Sequence, residues 1–548
     1  MSPAGLPAAD PDVVRQYVEK GWWGTETLSD VVRRHAAERP HAPAFLCEGQ
    51  TTTWQRYDAA GRACAARLDA AGLEPGQRVA VVLPDGPGVH EWFLGAERAG
   101  VVVVGIGPRA GEAEIRHLVE RSGARVLVSG PEVAGRVSAE VVKDLCQAGT
   151  EVAHLVTGAD GRDAASGGPD PPAGGRRLGP DELWLLNSTS GTTGLPKCVM
   201  HTQNRWMYFH QLAVAAGAMT GADVFMSLLP APFGFGLWTA HFTPALLGAA
   251  VVLMPRFRAG QAVRLAEEHR VTVLACVTTQ LVMMLNDPAL ARADLGALRA
   301  VFTGGEAVPY DRAAEFEERT GARVLQFYGS NETGALSHTS LSDDREHRLR
   351  TAGRVISDMQ VRLLDDERDV TLAGGPGEPV CRGPATSLGY WDDDEANGRL
   401  FTADGWMRTG DLAELDSGGW LSIVGRLSDI IIRGGKNISA GQVESEVGTH
   451  PGVAMVAAVA MPDAVFGERV CVYVVARPGE APTLEDLAAH LLARGVGKEL
   501  LPEHLVLVDA LPTSSGGKVA KGELRADIRR RLTAAGGAGA PPGGGAGA

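Results

Sequence analysis

The chain has 548 residues, enough for three or four structural units, and 45% of it is apolar, enough for several buried cores. Lys and Arg number 52 against 66 Asp and Glu, a net charge of −14, which excludes a general nucleic-acid or anionic-membrane binder but leaves room for local basic clefts that hold phosphates. Seven scattered cysteines with no C-x-x-C pair fit reduced thiols in a cytoplasm, not a disulfide framework or a zinc site. The opening residues carry no secretory pattern, and the longest apolar runs, 101–106 and 246–254, are far too short to cross a bilayer. The expectation is a cytoplasmic protein with no membrane span and no nucleic-acid partner.

Taken in chain order, helical and strand-like segments alternate. Residues 56–72 predict an amphipathic helix before a strand at 79–83, and 113–122 a helix before 125–129. Further on, 261–270 precedes 271–277, and 311–321 precedes 323–327. Repeated helix-then-buried-strand units imply α/β architecture with parallel sheets and helical crossovers. Gly- and Pro-rich residues 158–180 interrupt the pattern as an exposed loop. After about 430 the rhythm changes to a small α+β unit: helix 440–449, strands 453–461 and 469–476, helix 484–494 and strand 504–508. The stretch from 536 to 548 consists only of Gly, Ala and Pro and reads as a disordered tail.

The strongest chemical feature lies between two apolar runs, 183–186 and 198–200. It comprises Ser188, Thr189, Ser190, Gly191, Thr192, Thr193, Gly194, Leu195, Pro196 and Lys197. Its hydroxyls, glycines and lysine suit a polyphosphate: glycine lets backbone N–H groups converge, hydroxyls add donors, and lysine adds charge. It is not a Walker A loop, since no G-x-x-x-x-G-K-[ST] occurs in the chain. Further motifs follow: Gly304-Gly305-Glu306; Tyr328-Gly329-Ser330-Asn331-Glu332-Thr333; Thr409-Gly410-Asp411; Gly425-Arg426-Leu427-Ser428-Asp429; Gly434-Gly435-Lys436; and Gly516-Gly517-Lys518.

Together these segments closely resemble, in order and spacing, the adenylate-forming superfamily of acyl-CoA synthetases, adenylation domains and firefly luciferase. The resemblance spans roughly 30–530. It implies a large N-terminal domain over 1–426, a hinge at 427–429 with its pivot at Ser428, a mobile α+β domain over 430–535, and the tail. It also implies two steps. A carboxylate attacks the α-phosphate of ATP to give an acyl-adenylate and pyrophosphate, and a thiol then attacks the activated carbonyl and releases AMP.

Each motif then takes an expected role. The Ser188–Lys197 loop would hold the β- and γ-phosphates, and Glu332 and Thr333 would be catalytic residues facing the nucleotide, Glu332 helping to hold Mg²⁺, a hard cation that takes oxygen ligands. Asp411 would accept hydrogen bonds from the ribose hydroxyls, with Arg426 nearby. Gly304 to Glu306 and Tyr328 would wall the adenine. Lys518 would bridge the carboxylate and the α-phosphate, where an ammonium stabilises developing charge. Gly434, Gly435 and Lys436 would form the thiol tunnel, and Phe466 would stack on the adenine of CoA, with Arg433, Lys436 and Arg469 supplying charge.

The segment 229–236 contains no acid to hold an amino group, so a free amino acid is disfavoured. Phe233 and Phe235, with Leu237 and Trp238, point to an apolar acid, and Gly234 and Gly236 would leave room beside the rings. The implied activity is an ATP- and Mg²⁺-dependent acyl-CoA synthetase for a fatty, aryl, alicyclic or polycyclic acid. Loading a discrete carrier protein through its phosphopantetheine is the nearest alternative. An oxygen-consuming luciferase-like enzyme and a non-catalytic nucleotide-binding scaffold are more distant, the latter disfavoured because Lys518, Glu332 and Asp411 are all present. A homodimer is left open.

Overall fold

Val102–Ile106 is a strand with no exposed position, and its β-branched residues suit a pleated surface covered on both faces. It lies in a six-stranded sheet in the order Cys198–His201, Leu185–Ser188, Val102–Ile106, Arg78–Val82, Val126–Ser129 and Ala153–Val156. All its pairs are parallel except Cys198–His201 with Leu185–Ser188. In this computed structural model the described residues are 7–162, 177–188, 196–305, 308–463, 465–513 and 518–537. Much of the expected 158–180 loop and nearly all of the expected tail therefore lie outside them.

A nine-stranded sheet runs in the order Arg354–Val355, Gly334–His338, Arg323–Ser330, Ala300–Gly304, Val273–Ala275, Val224–Ser227, Ala250–Leu253, Pro43–Cys47 and Gln50–Thr53. Its middle pairs are parallel and its two ends antiparallel. The helix-then-strand repeats read from the sequence are present as Trp54–Ala70 with Arg78–Val82, Glu112–Ser122 with Val126–Ser129, Ala259–Glu268 with Val273–Ala275, and Tyr310–Thr320 with Arg323–Ser330. A four-stranded sheet and a two-stranded ribbon between 360 and 426 were not foreseen.

Helix Pro87–Arg98 is buried along its whole length. Its buried cation is matched: Arg98 donates to Asp58 Oδ1 at 2.6 Å and to Ser29 Oγ at 2.6 Å. The helix meets Trp54–Ala70 through small residues, and a Cβ on Gly95 would stand 2.4 Å from the Cβ of Cys64.

By internal contacts the chain divides into two compact units, the larger up to residue 409 with 413–423, the smaller holding 410–412 and most of the chain from 424 on. The division thus falls inside the strand Leu421–Arg426, slightly before the expected 426. The smaller unit is a five-stranded sheet in the order Lys436–Ser439, Ile430–Arg433, Gly467–Ala476 and Val453–Asp463, with His504–Leu507 parallel to Gly467–Ala476. Side chains alternate along Gly467–Ala476. Val470, Val472 and Val474 pack with Val443, Val447, Leu487 and Leu491, whereas Cys471 and Tyr473 pack with Leu524 and Ile528. The second face is covered by helix Lys521–Gly537, which runs to the start of the expected tail.

Gly95→Val should lower stability by about 1–3 kcal/mol through overpacking of this helix pair, read as a shift in the denaturant midpoint. An unchanged midpoint would show that the two helices separate freely.

Candidate active site

Strand Cys198–His201 organises one side of the site. It pairs with Leu185–Ser188 in register Cys198 to Ser188 and His201 to Leu185. On its other edge Met200 N–H donates to Gly389 O at 2.9 Å, and Trp391 N–H donates to Cys198 O at 2.8 Å. The phosphate-type loop thus leaves and re-enters a sheet, as its flanking apolar runs predict. Thr189, Ser190, Gly191, Thr192, Thr193 and Gly194 lie outside the described residues, as does Glu306. Ser188 is buried, and its hydroxyl has no partner among the described residues. An orphaned hydroxyl at the mouth of the loop fits an incoming acceptor such as a phosphate oxygen.

The pairing with 388–391 brings Tyr390 beneath Lys197, whose Nζ stands 4.8 Å from the ring centroid. Tyr390 O–H donates to Glu332 Oε1 at 2.7 Å, and Ser387 N–H donates to Glu332 O at 2.7 Å. Lys197 and Glu332, 135 positions apart in sequence, therefore meet through a tyrosine that motif reading missed. Its signal was the Gly389-Tyr390-Trp391 triplet in an otherwise polar stretch.

Around Glu332 the turn holds itself together. Ser330 N–H donates to Thr333 Oγ1 at 3.0 Å, Thr333 Oγ1 donates to Gly334 O at 3.0 Å, and Thr333 N–H donates to Ser330 Oγ at 3.1 Å. Thr333 is fully buried with its hydroxyl committed on both sides, so it shapes the turn instead of facing a ligand as expected. Gly329 is required by close approach: a Cβ there would stand 1.7 Å from Gly334 O.

Gly304 ends strand Ala300–Gly304 and Gly305 follows at φ +76°. Tyr328 is partly buried on the neighbouring strand. A Cβ on Gly304 would stand 3.1 Å from the Phe235 ring, so the expected adenine wall and the expected acyl wall share one contact. Phe233 is buried and Phe235 partly so. Two expectations change here. The space beside Gly236 is filled by backbone, since a Cβ would stand 2.1 Å from Pro230 O, so Gly236, at the start of a helix packed on that backbone, leaves no room for substrate. Leu237 and Trp238 are core residues, with Trp238 packed on Phe209, Phe302 and Phe327. Gly234 does mark a close approach: a Cβ would stand 3.0 Å from Asn331 Oδ1.

A buried polar chain runs behind this surface. Arg205 donates through Nε to Ala385 O at 2.8 Å and through Nη1 to Asn331 O at 2.7 Å and His201 Nδ1 at 2.6 Å. His201 Nε2 meets Asn187 Oδ1 at 2.8 Å, and Asn187 Nδ2 donates to Pro232 O at 3.1 Å. Burial pushes Arg205 down to about 9, partly offset by the Glu332 carboxylate. Burial, then Arg205, holds His201 well below the usual histidine range. Asp85, fully buried, accepts from Ala231 N–H at 3.1 Å, and burial pushes its carboxyl up to about 7 despite that bond.

In the smaller unit Arg426 Nε stands 3.7 Å from Asp411 Oδ1, and Leu427 N–H donates to Gly410 O at 2.9 Å. The expected ribose acid and its arginine are thus neighbours. Ser428 sits in the short turn Leu427–Asp429, where Arg525 Nη1 donates to its carbonyl at 3.2 Å and Nη2 pairs with Asp429 at 2.9 Å. Gly434 (φ +57°) and Gly435 (φ +83°) form the turn before Lys436, and Gly434 N–H donates to Phe466 O at 2.8 Å. Arg433 and Arg469 lie over the Phe466 ring at 4.7 and 5.0 Å. Their charges are already met, Arg433 by Glu503 at 2.7 Å and Arg469 by Asp463 at 2.6 Å, so neither is the uncompensated cation expected for CoA phosphates. Lys518 is half-buried immediately before Val519, which bridges to Thr513. Gly516 and Gly517 lie outside the described residues.

Residues 32–391 match the family model for AMP-binding enzymes, and 442–518 match the model for the AMP-binding enzyme C-terminal domain. The chain belongs to the AMP-binding enzyme family. A medium-chain fatty-acid–CoA ligase of Escherichia coli (strain K12) is 32% identical over 530 residues, covering 94% of this chain and 93% of that protein. A salicylyl-CoA synthase / salicylate adenylyltransferase of a Streptomyces species is 32% identical over 531 residues, covering 94% and 96%. The crystal structure of ATP-bound MatB from Rhodopseudomonas palustris superposes with a TM-score of 0.81 at 26% identity, covering 91% of this chain and 99% of that one. As a family member this chain is an AMP-forming acid–thiol ligase of the α/β class expected from the motifs. Among the described residues no helix is long and apolar enough to cross a membrane.

Two predictions follow from the site of this AMP-binding enzyme. Tyr390→Phe removes one hydrogen bond to the Glu332 carboxylate but keeps the ring under Lys197. The apparent KM for Mg·ATP should rise about tenfold with little change in melting temperature, and an unaltered KM would mean Glu332 is positioned without the tyrosine. Asp85 has its folded pKa raised from 3.8 to about 7. The stability this favours is complete below pH 4 and lost as pH rises through 7. Asp85→Asn keeps an acceptor for Ala231 N–H. Its stability relative to the parent should therefore climb between pH 4 and 8, by up to about 4 kcal/mol. A constant difference in denaturant titrations would show Asp85 ionised throughout.

Proposed function

We propose that this enzyme is an acyl-CoA synthetase that activates an apolar carboxylic acid as its adenylate and transfers the acyl group to CoA. The observation that carries this reading is the meeting of Lys197, Tyr390 and Glu332 where the Ser188–Lys197 loop re-enters its sheet. An ammonium and a carboxylate held at fixed places beside a hydroxyl-rich loop suit a nucleotide triphosphate and its counter-ion. Glu332 fits Mg²⁺ chemically: a carboxylate on a rigid turn is the hard oxygen donor such an ion takes alongside phosphates. Bound there, Mg²⁺ would neutralise phosphate charge.

The residues divide the remaining work. Lys197 and the loop before it hold the β- and γ-phosphates, and Asp411, with Arg426 beside it, takes the ribose. Gly304, Gly305 and Tyr328 border the base. Phe233 and Phe235 present an apolar face without any carboxylate, so an apolar acid enters without stranding a charge. Lys518 serves the adenylation step, where an ammonium stabilises charge as two anions approach and lowers the barrier to attack. Gly435, exposed at φ +83°, would border the passage for the thiol, where a side chain would intrude. Compartment follows the composition, which suits a cytoplasmic enzyme.

A second reading, transfer to a carrier protein's phosphopantetheine, is favoured by one observation. Arg433 and Arg469 spend their charge on Glu503 and Asp463, which leaves less for the phosphates of CoA. A relative named both a CoA synthase and an adenylyltransferase is consistent with either acceptor.

The test separates the two half-reactions. Acid-dependent ATP–pyrophosphate exchange across fatty, aryl, alicyclic, polycyclic and amino acids should single out one apolar class. Lys518→Ala should lower that exchange by at least about a thousandfold, the scale of a removed electrostatic stabiliser, yet still convert supplied acyl-adenylate and CoA to thioester. Equal loss in both steps would remove Lys518 from adenylation, and thioester formed only with a carrier thiol would favour the second reading.

A further inference from the structure

The chain Arg205–His201–Asn187 has a direction, and the direction follows from donor chemistry. A guanidinium only donates hydrogen bonds. His201 Nδ1, 2.6 Å from Arg205 Nη1, must therefore accept. In a neutral ring the proton then sits on Nε2, which donates to Asn187 Oδ1 at 2.8 Å. That fixes the amide, so Asn187 Nδ2 faces and donates to Pro232 O at 3.1 Å. All three side chains are at most 2% exposed, and Arg205 hydrogen-bonds to two carbonyls and a ring nitrogen. Burying such a cation is costly, and the carbonyls it holds belong to the segments that matter: Asn331, beside Glu332, and Ala385.

We propose that Arg205, His201 and Asn187 form a one-directional positioning relay that fixes the Glu332 turn and the Phe233 loop relative to each other, so that placement of the nucleotide and of the acid are coupled. None of the three touches substrate. At one end Arg205 holds the carbonyl before Glu332, and at the other Asn187 holds the carbonyl before Phe233. The two segments also touch directly: a Cβ on Gly234 would stand 3.0 Å from Asn331 Oδ1 and 3.3 Å from Trp206. A shift of either segment is thus resisted from behind by the relay and in front by contact. The proposal rests on the adenylating reading of this site, since the coupling concerns an acid on one segment and a nucleotide on the other.

Three variants test the relay. His201→Leu breaks it. Asn187→Asp accepts from His201 but cannot donate to Pro232 O. His201→Gln can accept from Arg205 through its carbonyl and donate to Asn187 through its amide. In pyrophosphate exchange, His201→Leu and Asn187→Asp should each raise the KM of the acid and of Mg·ATP together, by about tenfold. His201→Gln should stay within about threefold of the parent for both. If Asn187→Asp moves only the acid KM, the contact is local and the relay is wrong. If His201→Gln is as impaired as His201→Leu, the direction is wrong. If the losses merely track melting temperature across the three variants, the residues only support the core and the proposal fails. A measurement independent of turnover is ¹⁵N NMR of the histidine rings, with His201 assigned by its absence in His201→Gln. A neutral ring with Nδ1 unprotonated supports the relay, and a proton on Nδ1 overturns it. Should the parent show no exchange with any acid, the functional reading falls, while the ring spectrum still decides the relay.

Discussion

Strand Cys198–His201 has partners on both edges, and the larger unit's site depends on that double pairing. Leu185–Ser188 on one side makes the hydroxyl-rich loop a connection within a sheet. Residues 388–391 on the other side carry Tyr390 under Lys197 and against Glu332. Backbone hydrogen bonds are obligatory in a buried sheet, so the meeting of these three side chains is enforced by main-chain pairing more than by their own attraction. A buried ammonium–carboxylate pair held only by side chains would spend much of its energy on desolvation and ordering.

The segment 228–236 is held by the same logic, carried by side chains that bind its backbone. Gln280 Nε2 donates to Leu228 O at 2.7 Å, Asp85 accepts from Ala231 N–H, and Asn187 donates to Pro232 O. Between them, Gly236 lies directly on Pro230 O. A loop without regular structure thus has its polar backbone groups satisfied by residues from three distant parts of the chain. Phe233 and Phe235 are thus carried on a backbone with little freedom to move.

In the smaller unit the polar residues were more committed than their types suggested. Phe466 lies against two guanidiniums that are themselves ion-paired, and the Ser428 turn is gripped by Arg525 from the helix Lys521–Gly537. That helix also supplies Leu524 and Ile528 to the core, so the residues gripping the turn belong to an element anchored by apolar burial.

The motifs from Ser188 to Lys518 and the alternation of helix with buried strand were legible along the chain, because hydroxyl-rich loops, period-2 strands and period-3.6 helices are local patterns. Local pattern also defined the acid-free segment 229–236. Helix Lys521–Gly537 is legible in principle from its charged, proline-free run beside the glycine-rich end. Tyr390 showed only as part of an aromatic pair in a polar stretch, and Arg205, His201, Asn187 and Asp85 were not legible. Each is an ordinary polar residue whose meaning comes from a partner 4 to 180 positions away. Nor could sequence tell that Gly236 serves a backbone contact, that Thr333 turns inward, or that Trp238 belongs to the core. Residue chemistry determined which groups this protein brings to its substrates; only tertiary structure decided which of them face outward and which are consumed in holding the others, because hydrogen-bond and burial partners are set by pairing across the sheets.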